Sequence, residues 1–289
     1  MTMAESGRRI DEGACGPLSF AWVVDQGTVR EANEDSVAVH IVPWWDGTEA
    51  VVAAVADGLG GDGHGGAASV VAAAGIRELA ETWADRGAPA DWDAAHRALV
   101  AAFGAIDDRI RAEAQAAGHR PGATTLVAAV LAPDGFIHAY TGDSRLYHLQ
   151  AGGGFYRTRD QSLAQIYLET GRIKSEAEAT QRQRNTLFST LGGEDGQITV
   201  EPEWETVEDD DGKVSAPIGE QPAFRRLASG DTVLLCSDGL WGVVALDEPD
   251  DGVSEDATAA RDRWLQAAID GGGPDNIGIV VVRVGDGGE

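Results

Sequence analysis

Two kinds of apolar patterning alternate along this chain. LSFAWVV (18–24), DSVAVHIV (35–42) and EAVVAAVA (49–56) are short runs that predict strands. The third is apolar on both faces and so belongs in the interior of a sheet. Over 65–87, Val70, Val71, Ala74, Leu79 and Trp83 fall at helical spacing. A second helix is predicted over 91–117, with Asp91 as N-cap and Trp92, Ala95, Leu99, Phe103, Ile106 and Ile110 as its apolar stripe. TTLVAAVLA (124–132) and FIHAYTG (136–142) flank Pro-Asp-Gly, a hairpin turn, and RLYHLQ (145–150) adds another strand. Two short helices are predicted over 162–171 and 175–184, and ITVEPEW (198–204) returns to strand. FRRLASGDTVLLCSDGLWGVV holds two strands around the turn at Ser229, Gly230 and Asp231. A helix over 257–269 and the strand NIGIVVVRV close the pattern.

Antiparallel hairpins with segregated helix pairs imply an α+β layered domain, not a doubly wound fold. No repeat and no linker divides the chain, so 17–289 read as one domain. Residues 1–16 are polar and Gly-rich and are expected to form a flexible tail. TVEDDDGKVSAPIGEQP (206–222) has no periodicity and is expected to be a solvated acidic insertion loop.

Composition narrows the function. Of 289 residues, 43% are hydrophobic, which supports a folded core. The formal charge of −26 disfavours nucleic acid and anionic membrane as partners, without forbidding a locally positive site. The cysteines, Cys15 and Cys236, form no CxxC pair, and Cys236 falls inside the apolar run TVLLC. No signal-peptide core or membrane-length apolar run is present, so a cytoplasmic location is expected.

The candidate chemistry lies where strands end. Asp57 in VADGLGG, Asp143 in YTGDSRLY, Asp238 in LLCSDGLWG and Asp275 in GGPDNIGIV each place a carboxylate beside Gly, Ser or Asn at the edge of an apolar run. Glu34 and Asp35 open a strand in the same way. One such Asp-Gly is an ordinary turn. Several converging carboxylates would repel one another strongly, and divalent cations relieve that repulsion. Hard oxygen donors with few His or Cys favour Mg²⁺ or Mn²⁺. Arg30, four residues before Glu34, either pairs with one of the many acids or grips a phosphoryl group bidentately; beside this acid cluster the phosphate is the favoured reading.

DQGTVREANEDSVAV, ADGLGG, GATTLVAAVL, TGDSRLYHL, CSDGLWG and GGPDNIGIVVVRV occur in the order found in metal-dependent serine/threonine protein phosphatases of the PPM type (type 2C), bacterial form. DQSLAQIYLETGRI and QRNTLFSTLGG also resemble that family, and the likeness runs from 18 to 284. It implies an αββα sandwich of two antiparallel sheets with helices outside. It further implies that Asp57 bridges two core Mn²⁺ or Mg²⁺ ions, that the Gly58 carbonyl ligates one, and that Asp238 and Asp275 complete the direct ligands. Glu34 and Asp35 would hold metal-bound waters, and Arg30 the substrate phosphate. Asp143 with Asp238 would support a weaker third ion. A flap over 160–193 would border the cleft. A bridging hydroxide would attack phosphorus in line, without a covalent intermediate. The implied partners are phosphoproteins made by a serine/threonine kinase, in a signalling role, with the enzyme acting as a monomer.

The sequence also departs from the pattern. Leu59 and Asp62 stand where many members carry His, which leaves His64 or metal-bound water as the proton donor. The simpler reading of His64 is a cap on a helix N-terminus. The flap lacks His-Pro before Gln-Arg-Asn, and Gly278 replaces a usual Thr, which would weaken that strand slightly. A catalytically silent phosphoprotein-binding module and a hydrolase of small phosphoesters are the rival readings.

Overall fold

The computed structural model describes residues 7–60, 63–193, 198–202, 207–208, 214–215, 223–246 and 256–285. One sheet runs in the order β1 (Arg9–Cys15), β2 (Leu18–Asp25), β15 (Ile277–Val284), β14 (Thr232–Cys236), β8 (Arg145–Leu149), β9 (Phe155–Arg157). The other runs β10 (Leu191–Gly192), β5 (Ala123–Thr124), β4 (Glu49–Leu59), β6 (Leu126–Ala132), β7 (Gly135–Thr141), β13 (Phe224–Arg226), with β3 (Asp35–Pro43) also paired to β4. Every strand pairing within these two sheets is antiparallel.

Three apolar layers hold the sandwich. Between the sheets, Val51, Ala53 and Val55 of β4 and Val127, Ala129 and Leu131 of β6 pack with Leu235 of β14 and Val280 and Val282 of β15. The opposite face of β4 (Ala50, Val52, Ala54, Ala56) packs beneath α1 (His64–Arg86) and α2 (Trp92–Ala117). The outer face of the other sheet, including Leu234, Ile279 and Val281, packs on α6 (Ala257–Asp270) through Trp264, Leu265 and Ala268. Each fully buried Val, Leu or Ile contributes about 1.5–3 kcal/mol by leaving water. The architecture is an αββα sandwich. Its first helical layer is the expected pair, and its second joins α6 to the one-turn α5 (Asp238–Trp241). Asp91 caps α2 as expected, its carboxylate accepting from Ala94 N–H at 2.7 Å.

Three expectations are corrected. Residues 9–15, expected in a flexible tail, form the edge strand β1, paired to β2 from Arg9↔Val24 to Cys15↔Leu18. An edge strand needs only one hydrogen-bonded side and one covered face, so a polar sequence suffices. Within ITVEPEW, described only as far as Pro202, no strand forms; Glu201 makes a single bridge to Tyr140. The helix expected over 175–184 is broken into a 3₁₀ turn (Glu176–Glu178) and the one-turn α4 (Gln181–Arg184), whereas α3 (Leu163–Glu169) forms where predicted. Most of the acidic insertion lies outside the described residues. Its described part is a two-stranded pairing of β11 (Val207–Glu208) with β12 (Val214–Ser215). Among the described residues, no helix is long and apolar enough to cross a membrane.

Candidate metal and phosphate site

Strand direction gathers the acids. β3 begins at Asp35, directly opposite Asp57 near the end of β4. β14 ends opposite both Ile279 of β15 and Arg145 of β8. Asp238 just after β14, Asp275 just before β15 and Asp143 just before β8 therefore emerge at one end of the sandwich. Asp25, at the end of β2, pairs with Ile277 there, so the loop to β3 carries Arg30 to the same end. A cleft of about 120 Å³ is walled by Arg30, Glu34, Asp57, Gly58, Asp143, Asp238 and Asp275, with Asn185 and Leu187 reaching in from the flap.

Asp57 is the electrostatic centre. Burial drives its carboxyl well above the usual carboxylate range, and Asp35, Asp238, Asp143 and Asp275 push in the same direction. Burial also raises Asp143 strongly, with Asp238 and Asp160 adding to it. Asp35 is pushed up to about 7 and Asp238 to about 6, in both cases chiefly by burial. Both lie within hydrogen-bonding reach of the Asp57 carboxyl. The nearby cation is Arg30, whose guanidinium donates to Asp275 at 2.5 Å. That bond, ahead of any other influence, raises the Arg30 pKa. Asp35, opposite Asp57 across the strand pair, is buried, accepting from Ser237 Oγ at 2.6 Å, and does not line the cleft.

Among the described residues, no three His, Cys, Asp or Glu side chains already converge at ligand distance on one point. The carboxyls meet in pairs instead. Their chemistry still fits hard divalent cations: they are buried and half-buried oxygen donors whose mutual repulsion an ion would relieve.

Several residues that hold this end together went unread in the sequence. Thr125 N–H and Thr124 Oγ both donate to the Asp57 carbonyl at 2.9 Å, and Thr125 Oγ accepts from Asp57 N–H at 3.1 Å. Asn276 donates to the Gln26 and Ala32 carbonyls at 2.9 Å and accepts from Glu34 N–H at 2.8 Å, which moors the Arg30 loop to β15. Ser237 Oγ also accepts from Gly278 N–H at 2.9 Å. A Cβ on Gly278 would stand 3.0 Å from Val55 and 3.2 Å from an Asp35 oxygen, so its lack of side chain leaves room for the two sheets to close here. Asn followed by Ile, or two threonines before a strand, is too common a pairing to flag such roles.

Gly58 is fixed by backbone crowding. A Cβ there would lie 2.4 Å from the Gly65 carbonyl and 2.7 Å from the Glu34 carbonyl. Glu34 ties the turn further: its carboxylate accepts from Gly66 N–H at 3.2 Å and its carbonyl from Ser69 Oγ at 2.5 Å. His64, the first residue of α1, stacks on His119 with ring centroids 4.2 Å apart and lines a separate hollow between α1 and α2. It does not wall the acid cleft, and it opens α1 without capping it: the N-cap position is Gly63, with no side-chain cap bond. Asp62 lies outside the described residues.

The family profile described as Protein phosphatase 2C matches residues 28–269. Serine/threonine protein phosphatase PstP of Mycobacterium tuberculosis is 31% identical over 93% of this chain and 45% of that protein. The chain thus spans a little under half of PstP's length. Serine/threonine phosphatase stp of Listeria innocua is 30% identical over 90% of this chain and 93% of that protein. The solved catalytic domain of PstP in complex with two manganese ions superposes with a TM-score of 0.69, at 27% identity, covering 93% of this chain and 99% of that one. The Streptococcus agalactiae enzyme's structure gives a TM-score of 0.73 over 92% of this chain and 99% of that one, a likeness of fold at 21% identity.

Proposed function

Since the chain belongs to the protein phosphatase 2C family, we propose that it hydrolyses phosphoserine and phosphothreonine in proteins, at the acid cleft, with divalent metal bound. The observation that carries this reading is the meeting of Asp57, Asp143, Asp238 and Asp275 with a single guanidinium, Arg30, in one cleft. Asp57, the Gly58 carbonyl, Asp238 and Asp275 would hold two core Mn²⁺ or Mg²⁺ ions, and Asp143 with Asp238 a third. Such ions, when bound, supply the Lewis acidity that activates water and neutralises phosphoryl charge.

The chain's own residues bind and orient. Arg30 leaves Asp275 and donates two parallel hydrogen bonds to the phosphoryl group, fixing it for in-line displacement. Glu34 and, beside Asp57, Asp35 orient water. Water displaces the seryl or threonyl oxygen at phosphorus, and that oxygen is protonated from solvent, because His64 faces His119 and not the cleft. No thiol competes as nucleophile: both cysteines are buried, and burial raises the Cys15 thiol to about 11 and Cys236 higher still.

The substrates would be products of a serine/threonine kinase, placing the protein in cytoplasmic signalling as a monomer. Hydrolysis of a phosphothreonine peptide with Mn²⁺, its loss on chelation and its loss in Asp57→Asn test the reading. Faster turnover of free nucleotides than of the peptide would favour a small-phosphoester hydrolase. No turnover of either would favour a binding module.

A further inference from the structure

Behind the cleft, two arginines converge on one flap carboxylate. Arg145, 2% exposed, lies two residues after Asp143. It donates to both oxygens of Asp160 at 2.8 and 2.7 Å and to Tyr147 Oη at 3.0 Å. Its guanidinium stacks 3.7 Å from the Trp241 ring centroid, and the Trp241 indole N–H donates to the Asp143 carbonyl at 3.0 Å. Arg145 is thereby built into the same end of the sandwich as Asp143 and α5. Its remaining partner is Glu176, at 3.1 Å, which also accepts from Arg157.

Glu176 opens the 3₁₀ turn, and that turn carries the next link. The Glu176 and Ala179 carbonyls accept from Arg184 at 3.3 and 2.7 Å. Arg184 ends α4, and the residues after it, Asn185 and Leu187, wall the acid cleft. A continuous line of charge-assisted bonds therefore runs from the buried Arg145 through Glu176 and Arg184 to the cleft wall. Its two halves differ in permanence. The Arg145 and Asp160 side chains are 3% and 8% exposed, whereas that of Glu176 is 35% exposed. Water can replace the arginines at Glu176 and cannot reach the Arg145–Asp160 pair, so the line opens at Glu176 first.

We infer that Glu176 is a positioning residue: it latches residues 181–187 over the cleft, and through them it sets affinity for a phosphoprotein but not for a small phosphate ester. The inference rests on the phosphatase reading above. Asn185 and Leu187 line the same cleft as the acids, and a peptide extends beyond its phosphoresidue whereas p-nitrophenyl phosphate ends at its ring, so a shift of these residues bears on the peptide more than on the small ester.

The test is Glu176→Gln, which keeps the shape and removes the charge. With Mn²⁺, KM for a phosphothreonine peptide should rise about tenfold, the equivalent of one charge-assisted hydrogen bond, with kcat and p-nitrophenyl phosphate turnover unchanged. Amide exchange over 181–187 should quicken in the same variant, a readout independent of activity. Arg184→Ala breaks the line one step later and should reproduce both effects; the double variant should be no worse than either single one. If Glu176→Gln fails to fold, Arg184→Ala carries the test alone. Equal loss for peptide and small ester, or unchanged peptide KM, overturns the latch. Unaltered exchange overturns it even if the wild type proves inactive, and wild-type inactivity on both substrates counts only against the phosphatase reading.

Discussion

Asp35 and Asp57 face each other as direct cross-strand partners of β3 and β4, the first buried and the second half-buried at the cleft end. Like charges in that position are destabilising. The Asp57 backbone, by contrast, is held by Thr124 and Thr125 whatever the carboxyl does. Asp57→Asn should therefore raise the melting temperature of metal-free protein by about 3 °C, near 1 kcal/mol for a domain of this size. The same change should abolish phosphatase activity and shrink the rise in Tm that millimolar Mn²⁺ gives the wild type. Thermal scans of both proteins with and without Mn²⁺ decide it. A less stable metal-free variant, with its Mn²⁺ response intact, would contradict the repulsion.

Arg30→Ala should raise KM for a phosphopeptide by about 10–100-fold, as expected for a lost bidentate charge-assisted pair. The Mn²⁺-induced rise in Tm should persist or grow, because Asp275 loses its competing guanidinium. Steady-state kinetics beside thermal scans separate the two roles. Loss of the Mn²⁺ response would make Arg30 part of the scaffold.

Gly58→Ala should cost about 2–4 kcal/mol, since the new methyl meets backbone on both sides and no flexible side chain can yield. Urea unfolding measures it. A cost within the range of surface substitutions would mean that the β4–α1 turn shifts easily.

His138 is buried between the two sheets, bonded to Tyr156 Oη at 2.7 Å, and His96 is buried on α2, and burial lowers their pKa values to about 3 and about 4. Unfolded histidine takes up its proton near 6.5. Between that value and the folded ones the unfolded chain binds more protons, so stability is full above pH 6.5 and falls as pH drops toward 4. The raised carboxyls of the cleft act in the opposite sense in metal-free protein: their stabilisation is full below about 4 and is lost as pH rises toward 6 to 7. Comparing wild type with His138→Gln cancels the carboxyl contribution. The variant's Tm should decline less between pH 7 and 5. Parallel curves would place no proton on His138 during acid unfolding.

The cleft end was legible because its carboxylates sit where apolar runs stop. Asp57, Asp143, Asp238 and Asp275 each adjoin a strand whose hydrophobicity announces it; antiparallel pairing brings the last three together, and the packing of the two sheets brings Asp57 to them. β1 was hidden because RIDEGAC has the composition of a loop, and only its pairing with β2 makes it a strand. Asn276, Ser237 and the two threonines were hidden for a related reason. Their partners lie far off in sequence, Gln26 and Ala32 for Asn276 and Asp35 for Ser237, so no local pattern encodes the contact. Asp35 was read as holding metal-bound water; its β3 register sets it directly opposite Asp57, with its carboxylate on Ser237.

If Asp275 holds an ion and Arg30 the phosphoryl group, as proposed, their contact would make cation and phosphate cooperative ligands. One Asp275 carboxylate cannot fully satisfy both a guanidinium and a divalent ion, so an ion that takes Asp275 releases Arg30 for the anion. Thermodynamic reciprocity then requires inorganic phosphate to tighten Mn²⁺ binding by the same factor. Product leaving this site would loosen its metals, and a chain starved of manganese would also lose its grip on phosphorylated partners.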